Sequence, residues 1–259
     1  MSDGERRAIV VTGAASGIGR ATALLFARRG WFTGIFDLDA DGLAATAAAL
    51  DGPSFQARLD TTDLTAWRGA LDAFAQASGG RLDVLFNCAG VLRVGWFEEM
   101  APEAEAQMLR VNVLGTTTGI RAALPLLRRT PGACVVNMAS SSIFYGVPEM
   151  AMYSASKAAV AALTEALDLE LGRHGIRVCD VAPPVVDTPL VRNQAQEATV
   201  YRTVRGRMTA ETVADAVWKA VHGRKLHWIL APGMGLLAAA VKLSPRLGRA
   251  LMKRLAIAP

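Results

Sequence analysis

The sequence predicts an α/β protein, a doubly wound parallel sheet of about seven strands with helices on both faces in one domain. Three observations predict it. Short, nearly all-apolar runs alternate with stretches of helical spacing from residue 8 to residue 230. A glycine-rich loop follows the first apolar run, and no change of composition divides the 259 residues.

The elements follow in order. Ala8 to Thr12 is short, apolar and β-branched, so it reads as a buried strand. Arg20 to Arg29 carries alanines and leucines at helical spacing. Trp31 to Asp37 is a second strand and Asp41 to Leu50 a second helix. Ser54 to Leu59 gives a third strand, Leu64 to Ala77 a helix, and Val84 to Phe86 a fourth strand. One long helix is expected from Pro102 to Leu127, with proline suited to its first turn. Cys134 to Ala139 and Ile176 to Val181 are strands five and six, flanking a helix over Met152 to Leu171. A helix over Ala210 to Val221 precedes a seventh strand, Leu226 to Leu230. Between them, residues 184–209 form the least regular stretch, and a loop of that length in a compact domain reads as a lid.

Composition excludes several classes. The longest apolar runs, such as Leu236 to Val241, fall far short of the roughly 20 residues of a spanning helix. The apolar run after Arg6-Arg7 is too short for a signal peptide, so a cytoplasmic protein is expected. Cys88, Cys134 and Cys179 have no paired spacing and read as small buried hydrophobes. His174, His222 and His227 share no metal-ligand spacing, so no metal site is assigned. The net charge of +5 is uneven: residues 202–259 hold 11 Lys and Arg against Glu211 and Asp215, a local +9, while residues 1–201 sum to −4. Basicity confined to the last fifth argues against a nucleic-acid surface.

Within that last fifth, residues 236–259 form a tail beyond a body of residues 1–235. Ser244-Pro245 reads as the N-cap and first residue of a short helix. Leu247, Leu251 and Leu255 recur every four residues, while Arg246, Arg249 and Lys253 take another face. A flap on the body or on a second subunit is the first reading of this basic amphipathic helix. Peripheral contact with anionic lipid is the second.

The loop Thr12-Gly-Ala-Ala-Ser-Gly-Ile-Gly19 sits where the first strand turns into the first helix. Gly13, Gly17 and Gly19, with Ser16 and Ile18 between them, let the backbone approach a pyrophosphate at the positive end of the helix. Asp37 ends the second strand, where an acid accepts hydrogen bonds from both adenosine ribose hydroxyls and repels a 2′-phosphate. Leu38 follows, and no neighbouring base compensates. NAD is therefore expected in preference to NADP.

Tyr153 and Lys157 lie four apart on one helical face, and Ser140 stands thirteen residues upstream. A tyrosine of ordinary pKa about 10 is a poor base. An ammonium such as Lys157, together with NAD⁺, could supply the roughly 4 kcal/mol that brings the phenol to neutrality.

In order and spacing, Thr12-Gly13-x3-Gly17-Ile-Gly19, Asp60, Asn87-Cys-Ala-Gly90, Asn112, Ser140, Tyr153-x3-Lys157 and Pro183-x4-Thr188 resemble the ordinary, non-extended branch of the short-chain dehydrogenase/reductase family. The resemblance covers about residues 5–230 and implies a Rossmann-type fold. It implies a catalytic set of Asn112, Ser140, Tyr153 and Lys157. Ser140 would hold the substrate oxygen, and Asn112 would position a water linking Lys157 to solvent. It also implies that Asp60, with Thr61, approaches the adenine, and that Asn87, Ala89 and Gly90 pack beside the adenosine ribose. Tyr153, Lys157 and Pro183 border the nicotinamide, with Val186 and Thr188 at its carboxamide. Two departures stand out: Cys88 replaces the family's second asparagine, and Pro184 replaces its glycine after strand six.

The segments around Val91 to Phe97, Ser142 to Tyr145, Glu149 to Met152 and 184–209 should meet at the carboxyl ends of the strands. They are largely apolar, which suits a hydrophobic secondary alcohol or ketone. An NADPH-dependent carbonyl or 3-oxoacyl-thioester reductase is the second reading, and a non-catalytic nucleotide sensor the third. The resemblance further implies a homodimer or homotetramer, with the Met152–Leu171 helix at an interface.

Overall fold

Strand segments without a polar face can only be hidden between two layers of helices, and that requirement sets the architecture. A computed structural model describes residues 6–203, 206–231, 233 and 243–256. Its strands are β1 (Ala8–Thr12), β2 (Phe32–Asp37), β3 (Ser54–Arg58), β4 (Val84–Asn87), β5 (Cys134–Met138), β6 (Arg177–Ala182) and β7 (His227–Ile229). The helices are α1 (Gly17–Arg28), α2 (Ala40–Ala48), α3 (Leu64–Ala77), α4 (Pro102–Leu109), α5 (Thr116–Arg129), α6 (Ala151–Gly172), α7 (Pro189–Arg192), α8 (Thr199–Thr203), α9 (Ala210–His222) and α10 (Pro245–Ala256).

All seven strands are parallel, in the order β3-β2-β1-β4-β5-β6-β7. Alternate side chains divide the core. Ile9, Val11, Ile35 and Val136 pack with Phe26 of α1 and Val213 and Val217 of α9. Ala8, Val10, Leu85 and Val135 pack on the other face with Trp67 and Phe74 of α3 and Ile120 and Leu127 of α5. Edge strand β3 alternates between exposed and half-buried residues, so it is not the all-apolar strand expected of a central position. Chain order reverses around β1 and β4, and this opens a crevice at the carboxyl ends of those strands.

Four polar residues cross the sheet in register. Asn87, Asn137, Asp180 and His227 stand opposite one another on β4, β5, β6 and β7. Asn87 Nδ2 donates to Asn137 Oδ1 at 2.9 Å, and Asn137 Nδ2 donates to Thr164 Oγ1 at 3.0 Å. At the edge, His227 Nδ1 lies 2.8 Å from Asp180 Oδ2 and Nε2 lies 3.3 Å from Glu165 Oε1. Burial raises the Asp180 carboxyl to about 6, against the opposing pull of His227.

Two elements differ from expectation. The helix expected from Pro102 to Leu127 is interrupted by a π-helical stretch, Arg110–Gly115, between α4 and α5. Residues 184–209 contain α7 and α8 and are pinned at both ends. Met208 N donates to Val185 O and Asp187 N to Met208 O, each at 2.9 Å. Arg205, within this stretch, and residues 236–242 of the tail lie outside the described residues. No described helix is long and apolar enough to cross a membrane.

Candidate active site

The crevice is built first by backbone. Ser16 is the N-cap of α1 and its side chain makes no capping bond, so the helix presents its first N–H groups to the cleft. A Cβ on Gly19 would stand 2.1 Å from Gly13 O, so only glycine permits this turn. Thr12 Oγ1 accepts from Cys88 N at 3.0 Å and Ala89 N at 3.1 Å, tying the glycine loop to the segment after β4. Asp37 Oδ2 accepts from Ala15 N at 2.9 Å and Oδ1 from Asp39 N at 3.1 Å, which fixes the carboxylate at the rim. Asp60 accepts two bonds from Thr62 in a tight turn beside Thr61. The cradle, helix start and rim carboxylate fit an adenine dinucleotide.

The other end of the same cavity, about 780 Å³ in all, holds Ser140, Tyr153 and Lys157. Lys157 is buried, donates to Met138 O at 2.8 Å and sits 5.7 Å from the Tyr153 ring centre. Gly13, Ser16, Gly17, Ile18, Gly19, Asp37, Leu38, Asp60, Thr61, Ala89, Gly90, Pro183, Val186 and Thr188 all line this cavity.

Residues 7–199 match the family model for short chain dehydrogenase. The chain belongs to the short-chain dehydrogenase/reductase family. It is 36% identical over 197 residues to the 2,5-dichloro-2,5-cyclohexadiene-1,4-diol dehydrogenase LinX of Sphingobium indicum, covering 75% of this chain and 78% of that one. To the 3-oxoacyl-[acyl-carrier-protein] reductase FabG of Thermotoga maritima it is 33% identical over 220 residues, covering 82% and 89%. A short-chain dehydrogenase/reductase from Burkholderia phymatum, solved in complex with NAD, superposes with a TM-score of 0.83 at 28% identity, covering 96% and 97%. The protein is thus an oxidoreductase of this family with a nicotinamide cofactor.

Two candidate site residues of this short-chain dehydrogenase/reductase lie outside the main cavity wall. Asn87 is buried beneath it, its amide engaged with Asn137. Asn112 is buried in the π-helical stretch. Its Oδ1 accepts from Val91 N at 2.8 Å, and its Nδ2 donates to Val91 O and Ser156 Oγ, each at 3.0 Å. That amide holds the loop after β4, with Gly90 between it and Lys157: a Cβ on Gly90 would lie 3.1 Å from Asn112 Oδ1 and 3.6 Å from Lys157 Nζ.

The electrostatics differ from the simple picture of a lysine activating a tyrosine. Burial holds the Tyr153 phenol above its ordinary value, Tyr201 adds to this, and only the hydrogen bond from Ser140 works in the opposite direction. Burial also lowers the Lys157 ammonium to about 8. Cys88, expected to be a buried apolar residue like Cys134 and Cys179, instead lines the cleft half-buried, because it follows β4 at the carboxyl end of the sheet. Its thiol is pushed up to about 12 by burial.

Two features escaped the sequence, and a third goes beyond the flap considered for the tail. Arg58, in register with Asp37 on β3, donates from Nε to Leu38 O at 3.1 Å, so a base does stand at the ribose rim. Glu149 adopts φ 65 and accepts from Thr199 N at 2.6 Å, fastening α8 to the start of α6. Finally, Leu251, Met252 and Leu255 of α10 line the cavity, and α10 packs on α8, while Leu247's side chain lies outside the described residues. Among the loop arginines, Arg192 and Arg207 pair with Asp187, and Arg207 also with Glu197.

Proposed function

We propose that this protein is an NAD-dependent dehydrogenase that transfers hydride between the nicotinamide and a hydrophobic secondary alcohol or ketone. The observation that carries this reading is one continuous cavity with Asp37 and the glycine cradle at one end and Ser140, Tyr153 and Lys157 at the other. NAD⁺, when bound, supplies the hydride acceptor and a positive charge near the phenol.

The chain's own residues do the rest. Ser140 holds the substrate oxygen against Tyr153, and Tyr153 takes the hydroxyl proton. Because burial raises the phenol, Lys157 alone does not make it a base, and the cationic nicotinamide must complete the field. Asn112 holds the Val91 backbone so that Gly90 stays beside Lys157. Apolar walls exclude water and strengthen each of these interactions.

Tyr153→Phe tests the reading. The variant should bind NADH like the parent, by fluorescence titration, while kcat for secondary alcohols falls by about 10²- to 10⁴-fold. Turnover that survives the substitution sinks the mechanism. A parent protein that binds NADH but turns over no alcohol or ketone points to a nucleotide sensor.

Arg58 favours a second reading, an NADPH-dependent carbonyl or 3-oxoacyl-thioester reductase, because a guanidinium at the ribose rim can meet a 2′-phosphate. The similarity to the Thermotoga maritima FabG supports the same alternative. The ratio of kcat/KM with NAD⁺ to that with NADP⁺ decides between them. The Asp37 carboxylate, aimed by two backbone N–H groups, is expected to hold that ratio well above one.

A further inference from the structure

The tail helix does more than cover the body. Gly248, Leu251, Met252 and Leu255 follow i, i+3, i+4, i+7 spacing, and all four line the cavity that holds Ser140 and Tyr153. The opposite side of α10 exposes Arg246, Arg249, Lys253 and Arg254. Glycine is a poor residue for the interior of a helix. At buried position 248 it lines the cavity without a side chain.

Below this stripe the walls are apolar. Leu92, Met150 and Ala198 form a cluster with Val191, Val200 and the Tyr153 ring. Arg93 donates to Leu92 O at 2.9 Å, and Arg192 and Arg207 pair with acids of their own loop, while Arg110 also lines the cavity. The part of a substrate that meets this cluster finds aliphatic side chains, which favour an apolar body because a polar group buried there would lack a hydrogen bond.

We propose that α10 is the specificity-determining roof of the substrate chamber, and that the substrate is an uncharged alcohol or ketone whose bulky apolar body packs beneath Gly248, Leu251, Met252 and Leu255. The proposal rests on the hydride-transfer reading above. It adds that the size and polarity of the substrate are read by the C-terminal helix, far along the chain from the reacting atoms.

The experiment compares the full-length protein with its Gly248→Leu and Leu255→Ala variants, using NAD⁺ with 2-butanol and with decahydro-2-naphthol. Gly248→Leu raises helix propensity, so α10 still forms. It should cut the kcat/KM ratio of the large alcohol over the small one by tenfold or more, the scale of a methylene-sized change in an apolar pocket. Leu255→Ala should raise KM for the large alcohol more than it lowers kcat. A ratio within twofold of the parent in both variants overturns the roof, as does a loss shared equally by both alcohols. Calorimetric binding of decahydro-2-naphthol to the NADH-loaded protein separates the two readings. If the parent turns over neither alcohol, the hydride-transfer reading fails. The roof then stands if Gly248→Leu weakens this binding tenfold, and falls if the parent shows no binding.

Discussion

Lys157 is a cation held where cations are disfavoured, and that has a thermodynamic signature. Its folded value of about 8 lies below its ordinary 10.5, so between these values the unfolded chain binds more protons than the native one. Stability must therefore rise with pH across that window. Relative to Lys157→Met, the parent should gain ~3 kcal/mol in unfolding free energy between about pH 8 and pH 10.5, measured by urea titration at each pH. A difference that stays flat shows that the ammonium is solvated. At this scale the sequence was most legible where function demands residue types at fixed spacing along one element, as with Gly13 to Gly19 or Tyr153 and Lys157. It was silent on Arg58 and Glu149, whose partners Leu38 and Thr199 lie 20 and 50 residues away and are met only through sheet register or loop docking.

Among the elements, residues 184–209 and the π-helical stretch were the least legible. Periodicity marks a helix but does not register a local change of pitch, so Arg110–Gly115 read as plain helix although it turns the Asn112 amide onto Val91. The content of 184–209 was hidden because α7 and α8, at four and five residues, are shorter than the window over which helical spacing can be recognised. The start of α8 is held by Glu149, which takes a backbone conformation few non-glycine residues adopt. Glu149→Gln keeps the shape but loses the charge-assisted bonds to Thr199, worth about 1.5–3 kcal/mol. Helix α8 should then detach more often, seen as faster amide exchange across 199–203 and a KM for substrate raised several-fold. Unchanged exchange would show that α8 is held by its apolar contacts instead.

For the molecule as a whole, strand number, parallel direction and two-sided burial could be read from alternating runs, whereas the edge position of β3 could be read only from pairing. The oligomer is a matter for experiment. Leu169 on α6 is 79% exposed, and Leu114, at the junction of α4 and α5, is 57% exposed. We expect α6 to carry a subunit interface, so that Leu169→Arg moves the sedimenting species towards the monomer in analytical ultracentrifugation; an unchanged sedimentation coefficient places any interface elsewhere. With the apolar stripe of α10 turned to the chamber, only its cationic side is left for the lipid contact considered for the tail, which would make such contact strongly salt-dependent.

The row of Asn87, Asn137, Asp180 and His227 has a consequence for how the sheet assembles. Strands of valine, isoleucine and alanine, covered on both sides, carry little information about alignment, since one apolar residue fits beside another almost anywhere. A slip by one residue would set an amide or a carboxylate against a valine and leave it without a partner, at a cost of about 1–3 kcal/mol per group. The row works as two keys: Asn87 meets Asn137 and Asp180 meets His227 only in this alignment, which locks β4 to β5 and β6 to β7.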